Sequence, residues 1–276
     1  MSEYISQLDG VPFRLREPFD FDFIHAYGRV FKVYDDQDSG NICFCTEKDG
    51  QRYFVKFAGA PTARGIGTPG EAVERLKATL PVYQALRHPN LVEFLEAREV
   101  GGGFAMVFRY TDAECMGRMY PESRAKFMAL PLDTHRKVYS EVLDFLMYTA
   151  SQGYAAIDFY DGSIMYDFAA GRTVICDIDF FRKMPCVNDM GRMWGSSLFQ
   201  SPEEYVLGAV IDEVTNVYTA GATAFALFAD YRRDRESWKL SGALYDVVCR
   251  AVSADRSIRQ QSLAELIHEW NQADGV

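Results

Sequence analysis

Histidine is scarce in this chain, four in 276 residues, at positions 25, 88, 135 and 268. Four scattered imidazoles make a poor zinc site. The six cysteines, at 43, 45, 115, 176, 186 and 249, contain no CxxC pair and no compact knot. That pattern reads as reduced thiols rather than a disulfide framework. Positive charge is also short: 29 Lys and Arg face 39 Asp and Glu, a net charge of -10. That balance argues against a general grip on DNA or RNA, which needs clustered cations against phosphates, while a local basic cleft stays compatible with it. No apolar run reaches membrane-spanning length, the longest being Ala220 to Ala229 with Gly221 and Thr223 inside it. The opening MSEYISQLDG has neither a basic nor a hydrophobic stretch, so a cytoplasmic protein without a secretory leader is expected. What remains is ordinary for a folded chain: 48% hydrophobic and 25% charged residues rule out wholesale disorder.

The first hundred residues alternate strand signals with turns. Strands are expected at Val30–Tyr34, Asn41–Thr46 and Arg52–Ala58, the last two joined through an Asp49-Gly50 hairpin signal. A Gly/Pro-rich loop at 59–70 leads into a helix from Glu71 to about Leu86, in which Pro81 is expected to disturb the helix. Two further strands follow, Leu91–Ala97 and Phe104–Phe108. After residue 112 the period lengthens to about 3.6: Val138, Val142, Leu146 and Ala150 share a helical face. Short strands are expected across 155–181. Helices follow at Tyr218–Phe228, Leu244–Val252 and Leu263–Trp270, the last with a Ser262/Glu265 capping box. Gly65-Ile66-Gly67-Thr68-Pro69-Gly70 satisfies GxGxxG. Its upstream strands form antiparallel hairpins rather than a βαβ unit, so it reads as a surface loop and not a dinucleotide site.

Chemistry-bearing residues come in a definite order: Phe54-Val55-Lys56; His88-Pro89-Asn90-Leu91-Val92; Ile157-Asp158 with Ser163 five residues on; Val174-Ile175-Cys176-Asp177; Gly195 to Glu203; Asn216-Val217-Tyr218-Thr219-Ala220-Gly221; and Arg259. In that order they resemble the eukaryotic-like (Hanks-type) Ser/Thr protein kinases over about residues 20 to 270. Val55-Lys56 looks like the end of Val-Ala-Ile-Lys, and His88 to Val92 is similar to His-Pro-Asn-Ile-Val. Asp158 falls at the catalytic-loop Asp, Asp177 at the Asp of Asp-Phe-Gly, and Gly195–Glu203 on Gly-Thr-Pro-x-Tyr-x-Ala-Pro-Glu.

The resemblance implies an α+β, bilobal protein-kinase-like fold: a small β-rich N-lobe with one main helix at 17–110, and a larger α-helical C-lobe at 111–273. It implies ATP with Mg²⁺, or Mn²⁺ in its place, and a protein or peptide substrate. Lys56 would hold phosphates as a point charge, Asp158 would take the attacking hydroxyl's proton, and Asp177 with Ser163 would hold the metal. Gly28, Val30, Glu74, Phe108 and Tyr110 would surround the nucleotide, with Glu74 the candidate partner of Lys56. Ser196 would face substrate, and Arg259 would pair with Glu203 to pin that loop.

Departures from the family pattern keep three functions open. Only Gly28 survives of the glycine loop, when that loop is laid over 23–30 with Phe23 and His25 at the other glycine places. Ala156-Ile157 replace His-Arg before Asp158, Tyr160 replaces a Lys, and Ser163 replaces an Asn. Asp161 or Asp179 could supply the missing metal oxygen. Thr79 stands at the usual spacing for the partner of Lys56, and Asn216 replaces the Asp that braces the catalytic loop. A protein kinase predicts an open platform at Ser196, whereas a small-molecule phosphotransferase predicts an acidic pocket at Asp158. A pseudokinase scaffold predicts a nucleotide site filled by side chains, with Phe23 and Phe108 the suspects.

Overall fold

The computed structural model describes residues 4–275. Two compact units divide the chain. One is built from the chain up to Arg87 with Val92–Asp112, the other from His88–Leu91 and everything from Ala113 onward. Both mix helices with small antiparallel sheets, an α+β fold. The expected boundary near 110 therefore shifts by two residues, and a four-residue excursion at 88–91 belongs with the second unit. The reason is local: Ile175 N–H donates to Asn90 O, Asn90 Nδ2 donates to Thr173 O, and Leu91 bridges Ile175.

The first unit opens with a hairpin, β1 (Tyr4–Leu8) and β2 (Val11–Leu15), which the strand pattern read above does not include. Its signal was available in Asp9-Gly10, the same dipeptide as Asp49-Gly50, with both residues at positive φ in each turn. Then come β3 (Arg29–Tyr34), β4 (Asn41–Lys48) and β5 (Gln51–Ala58). Helix α1 (Pro69–Ala85), β6 (Phe94–Val100) and β7 (Gly103–Arg109) complete the unit. The sheet order is β3-β4-β5-β7-β6. Period-two alternation sends Val30, Ile42, Phe44, Val55, Phe57, Ala105 and Val107 to one face, beneath Phe13, Leu15, Phe21 and Ile24. Burying each such phenylalanine contributes about 2–3 kcal/mol. Residues of opposite parity, including Cys45, Phe54, Lys56, Met106 and Phe108, take the face on which α1 lies. Thr68 caps α1 in a reciprocal box with Glu71. The helix runs through Pro81 instead of ending there: its buried stripe of Leu76, Thr79, Val82 and Tyr83 continues past the one backbone bond that proline removes.

In the second unit β8 (Glu114–Cys115) precedes α2 (Pro121–Met128) and α3 (Leu132–Ser151). Helix α3 buries Val138, Val142 and Leu146 as the periodicity predicts, with Thr149 rather than Ala150 completing the stripe. A short β9 (Tyr154–Ala155) follows, and then β10 (Ile164–Asp167) and β11 (Arg172–Ile175) make a sheet with β8. Helix α4 (Glu213–Phe228) is buried from Val214 to its end, so it is apolar all round rather than amphipathic. Helices α5 (Gly242–Ala251) and α6 (Leu263–Asp274) pack beside it. Among the described residues no helix is long and apolar enough to cross a membrane.

Candidate active site

In the first unit Lys56 sits in the middle of β5, across from Cys43 on one side and Met106 on the other. Two residues before it on the same face is Phe54, whose ring lies 6.1 Å from Tyr34 and 6.5 Å from Phe108. Phe108 is buried, also packing against Tyr83 at 5.0 Å and Phe94 at 5.7 Å. Tyr110 is half-buried, edge-on to Phe31 at 5.2 Å and 4.7 Å from the Arg52 guanidinium. Burial pushes its phenol up. Phe23, suspected of filling a nucleotide site, lies on the opposite face, 4.8 Å from Phe57.

Three residues assigned to the nucleotide stand elsewhere. Glu74 is on the exposed side of α1, beside Lys77. The helix position facing the sheet is Thr79, whose hydroxyl donates to Leu76 O at 2.8 Å and lies 3.3 Å from Met106 Sδ. Val30 is 1% exposed within the cluster on the far face, and its N–H donates to Asp9 at 2.7 Å. Gly28 follows a 3₁₀ turn at Asp22–Tyr27, and a Cβ there would come within 2.1 Å of Glu47 O. Close backbone approach to β4, not a phosphate, accounts for that glycine. His25 lies 3.4 Å from both Asp9 and Asp22, a histidine held by the turn around it.

The turn between the sheet's first two strands is 35–40, Asp-Asp-Gln-Asp-Ser-Gly. It carries three carboxylates and one glycine. Asp35 is bound by Arg14 through two side-chain bonds at 2.8 and 2.9 Å, which hold its carboxyl below the usual range. The rest is tied down: Ile66 N–H donates to Asp38 O at 2.8 Å, and Arg75 donates to Ser39 O at 3.0 Å.

In the second unit Asp158 and Asp177 share an unusual backbone state, φ 60° and 55°. Non-glycine residues in the left-handed region store strain, and such positions cluster at functional sites. Both carboxylates act on one phenol: Tyr160 is pushed up by burial first, then by the charges of Asp177 and Asp158. The loop before Asp158 is braced by Asn216 of α4. Its Oδ1 accepts from Ala156 N–H at 2.7 Å and its Nδ2 donates to Tyr154 O at 3.1 Å. An amide serves here because one contact needs an acceptor and the other a donor, which a carboxylate alone does not supply.

Glu203 and Arg259 form a two-pronged pair at 2.7 and 3.0 Å, with Arg259 fully buried. Burial opposes the Glu203 charge, but the Arg259 bonds outweigh it and keep the carboxyl below its ordinary value. Asp161, offered above as a metal oxygen, is committed to structure: it accepts from Arg118 N–H at 3.0 Å and from the Tyr231 hydroxyl. Ser163 is wholly enclosed, and its hydroxyl finds no partner among the described residues. Asp177, by contrast, is an exposed carboxylate on a loop, which suits a hard divalent ion.

A hollow brings Asp158 together with Gly195, Ser196, Gln200, Glu204 and Thr219. Glu204 was not singled out in the sequence, where it reads as the second acid of a 3₁₀ turn, capped on Ser201. Phe54, named in the sequence only as part of the Phe54-Val55-Lys56 run, lies on the same face as Lys56 by its period-two offset. No protein-family model matches the chain. No curated protein matches it either.

Proposed function

We propose that the chain is an ATP-dependent phosphotransferase with a bilobal, protein-kinase-like fold, passing a γ-phosphoryl group to a Ser or Thr hydroxyl of a protein. The observation that carries this reading is the strained pair, Asp158 and Asp177, with Asn216 bracing the loop that presents Asp158. Asp9 and Asp49 take the same backbone state in hairpin turns, whereas Asp158 and Asp177 take it outside those turns, which supports a site role. Asp158 takes the proton of the attacking hydroxyl, with Ser196 on the segment that faces substrate. Asp177 is the ligand for a divalent ion, whose contribution is to neutralise charge between the phosphates. Lys56 supplies a positive point charge to the same phosphates. The buried Glu203–Arg259 pair fixes the 195–203 segment, and a fixed segment lowers the entropy of presenting a peptide hydroxyl.

A second reading, a nucleotide-poor scaffold, draws on the acidic 35–40 turn and on Phe54 beside Lys56. Both features weaken a triphosphate or purine site without removing the groups that act on the acceptor. The test is phosphate transfer from Mg-ATP to a degenerate Ser/Thr peptide library, with Asp158→Asn as control. We expect incorporation that falls by about 10²–10⁴ in the variant. Absence of incorporation with Mg²⁺ and with Mn²⁺ favours the scaffold.

A further inference from the structure

Six non-glycine residues take the left-handed backbone state among those described. Asp9 and Asp49 turn hairpins, and Asp158 and Asp177 belong to the site above. The other two, Asp230 at φ 46° and Tyr231 at φ 69°, are consecutive and follow directly on the end of α4. Glycine meets such angles without strain, so a tyrosine is kept in this turn by what its side chain does. The backbone is served without it: Ala229 N–H and Tyr231 N–H both donate to Phe225 O at 3.0 Å, and Arg232 N–H donates to Ala229 O at 3.0 Å.

The turn sets the Tyr231 ring against two guanidiniums, Arg124 at 4.3 Å and Arg118 at 5.0 Å from its centre, and edge-on to Phe199 at 6.2 Å. Arg124 is itself fixed, donating to Met116 O at 3.2 Å, Ala226 O at 3.3 Å and Asp230 at 2.7 Å. So placed, the Tyr231 hydroxyl donates to Asp161, whose same oxygen accepts Arg118 N–H at 3.0 Å. Burial first, and then this bond, push the Tyr231 phenol up, which keeps it a donor. Asp161 is 5% exposed and opens the 3₁₀ turn three residues after Asp158. Helix α4 therefore grips the Asp158 loop at two points. Near its start Asn216 holds Tyr154 and Ala156, and just past its end Tyr231 holds Asp161.

We propose that Tyr231 is a positioning residue for Asp158: acting through Asp161, it fixes the far end of the loop whose near end Asn216 holds. Its effect on turnover rests on the reading of Asp158 as the group that meets the acceptor hydroxyl. A phenol donating to a carboxylate makes a charge-assisted bond, stronger than a neutral one, and this bond is shielded from water. Rigid support behind a reacting carboxylate acts on the rate of the chemical step and leaves the affinity for substrates alone.

The experiment reads the loop and the chemistry separately. Tyr231→Phe keeps the ring against both arginines and removes the donor. Amide hydrogen exchange follows Phe159 and Ser163, whose N–H groups donate to Ala156 O and Tyr160 O within the loop. Steady-state transfer from Mg-ATP to the Ser/Thr peptide library follows turnover. We expect both amides to exchange about tenfold or more faster in the variant, with exchange in α6 unchanged. We expect kcat to fall about tenfold, with KM for ATP and for peptide within about twofold of wild type. In an Asp161→Ala background Tyr231→Phe should alter both readings by less than about twofold, because its partner is gone; a residue that merely packs would cost the same in either background. Should Asp161→Ala fail to fold, the single variant decides. Unchanged exchange in the loop, unchanged kcat in an active enzyme, or an equal loss with and without Asp161 each overturn the proposal. Faster loop exchange in a protein that transfers phosphate to no peptide leaves the grip on Asp158 standing and removes the phosphotransferase reading instead.

Discussion

On the proposed reading, the second unit supplies the groups for an acceptor hydroxyl and the first those for a nucleotide. In the second, Asp158, Asp177, the Asn216 brace and the Glu203–Arg259 pair stand with their supporting contacts intact. In the first, Lys56 remains, but Thr79 takes the inner helix position, Phe54 crowds its face and the 35–40 turn carries three acids. On that reading, the groups assigned to the acceptor hydroxyl have fuller supporting contacts than those assigned to the nucleotide. Such a protein is expected to pair weak nucleotide affinity with retained chemistry.

Substitutions at the ends of this contrast have the largest effects. Asp158→Asn should lower phosphate transfer by about 10²–10⁴ while leaving nucleotide affinity near wild type, read by single-turnover transfer and equilibrium binding. Equal losses in both would break the division between the units. Arg259→Ala strands the buried Glu203 carboxylate and should cost about 3–5 kcal/mol, read by urea unfolding. Glu203→Gln combined with Arg259→Met, which removes both charges, should recover much of that loss.

A smaller effect concerns pH. Folding raises the Glu204 carboxyl from 4.5 to about 7 through burial, with Glu203 adding to the shift and Arg259 opposing it. Between those values the folded protein holds a proton that the unfolded chain has released. The contribution of this group to stability therefore declines as pH rises from about 4.5 to about 7 and is level above, by at most about 3 kcal/mol. Glu204→Gln should flatten that part of the stability profile, and an unchanged profile would contradict the assignment. Smallest is the acidic turn. Asp36→Asn with Asp38→Asn should tighten ATP binding roughly two- to fivefold at low salt, and less as salt is raised.

Much of this was legible in the sequence, and the exceptions have physical causes. The Glu203–Arg259 pair was legible in the order of residues along the chain and forms as a two-pronged buried contact; the same order is what pointed to Lys56, Asp158 and Asp177 as candidates. At Gly28 the structure shows a close approach to Glu47, which a glycine before a strand serves as well as it would a phosphate. Glu74 was chosen for its charge, whereas the helix period puts Thr79 inward. Pro81 was weighed by local propensity, and packing of the Leu76–Tyr83 stripe overrode it. Glu204 carries no sequence signal beyond a second acid after proline. Its raised carboxyl comes from burial.

The most direct measurement is the rate of phosphate transfer from ATP to the Ser/Thr peptide library as ATP is raised to saturation, with Mg²⁺ and with Mn²⁺. The account predicts a rate that climbs to a clear plateau at high ATP and is lost in Asp158→Asn. No transfer at any ATP concentration with either ion, or a rate indifferent to Asp158, would contradict it.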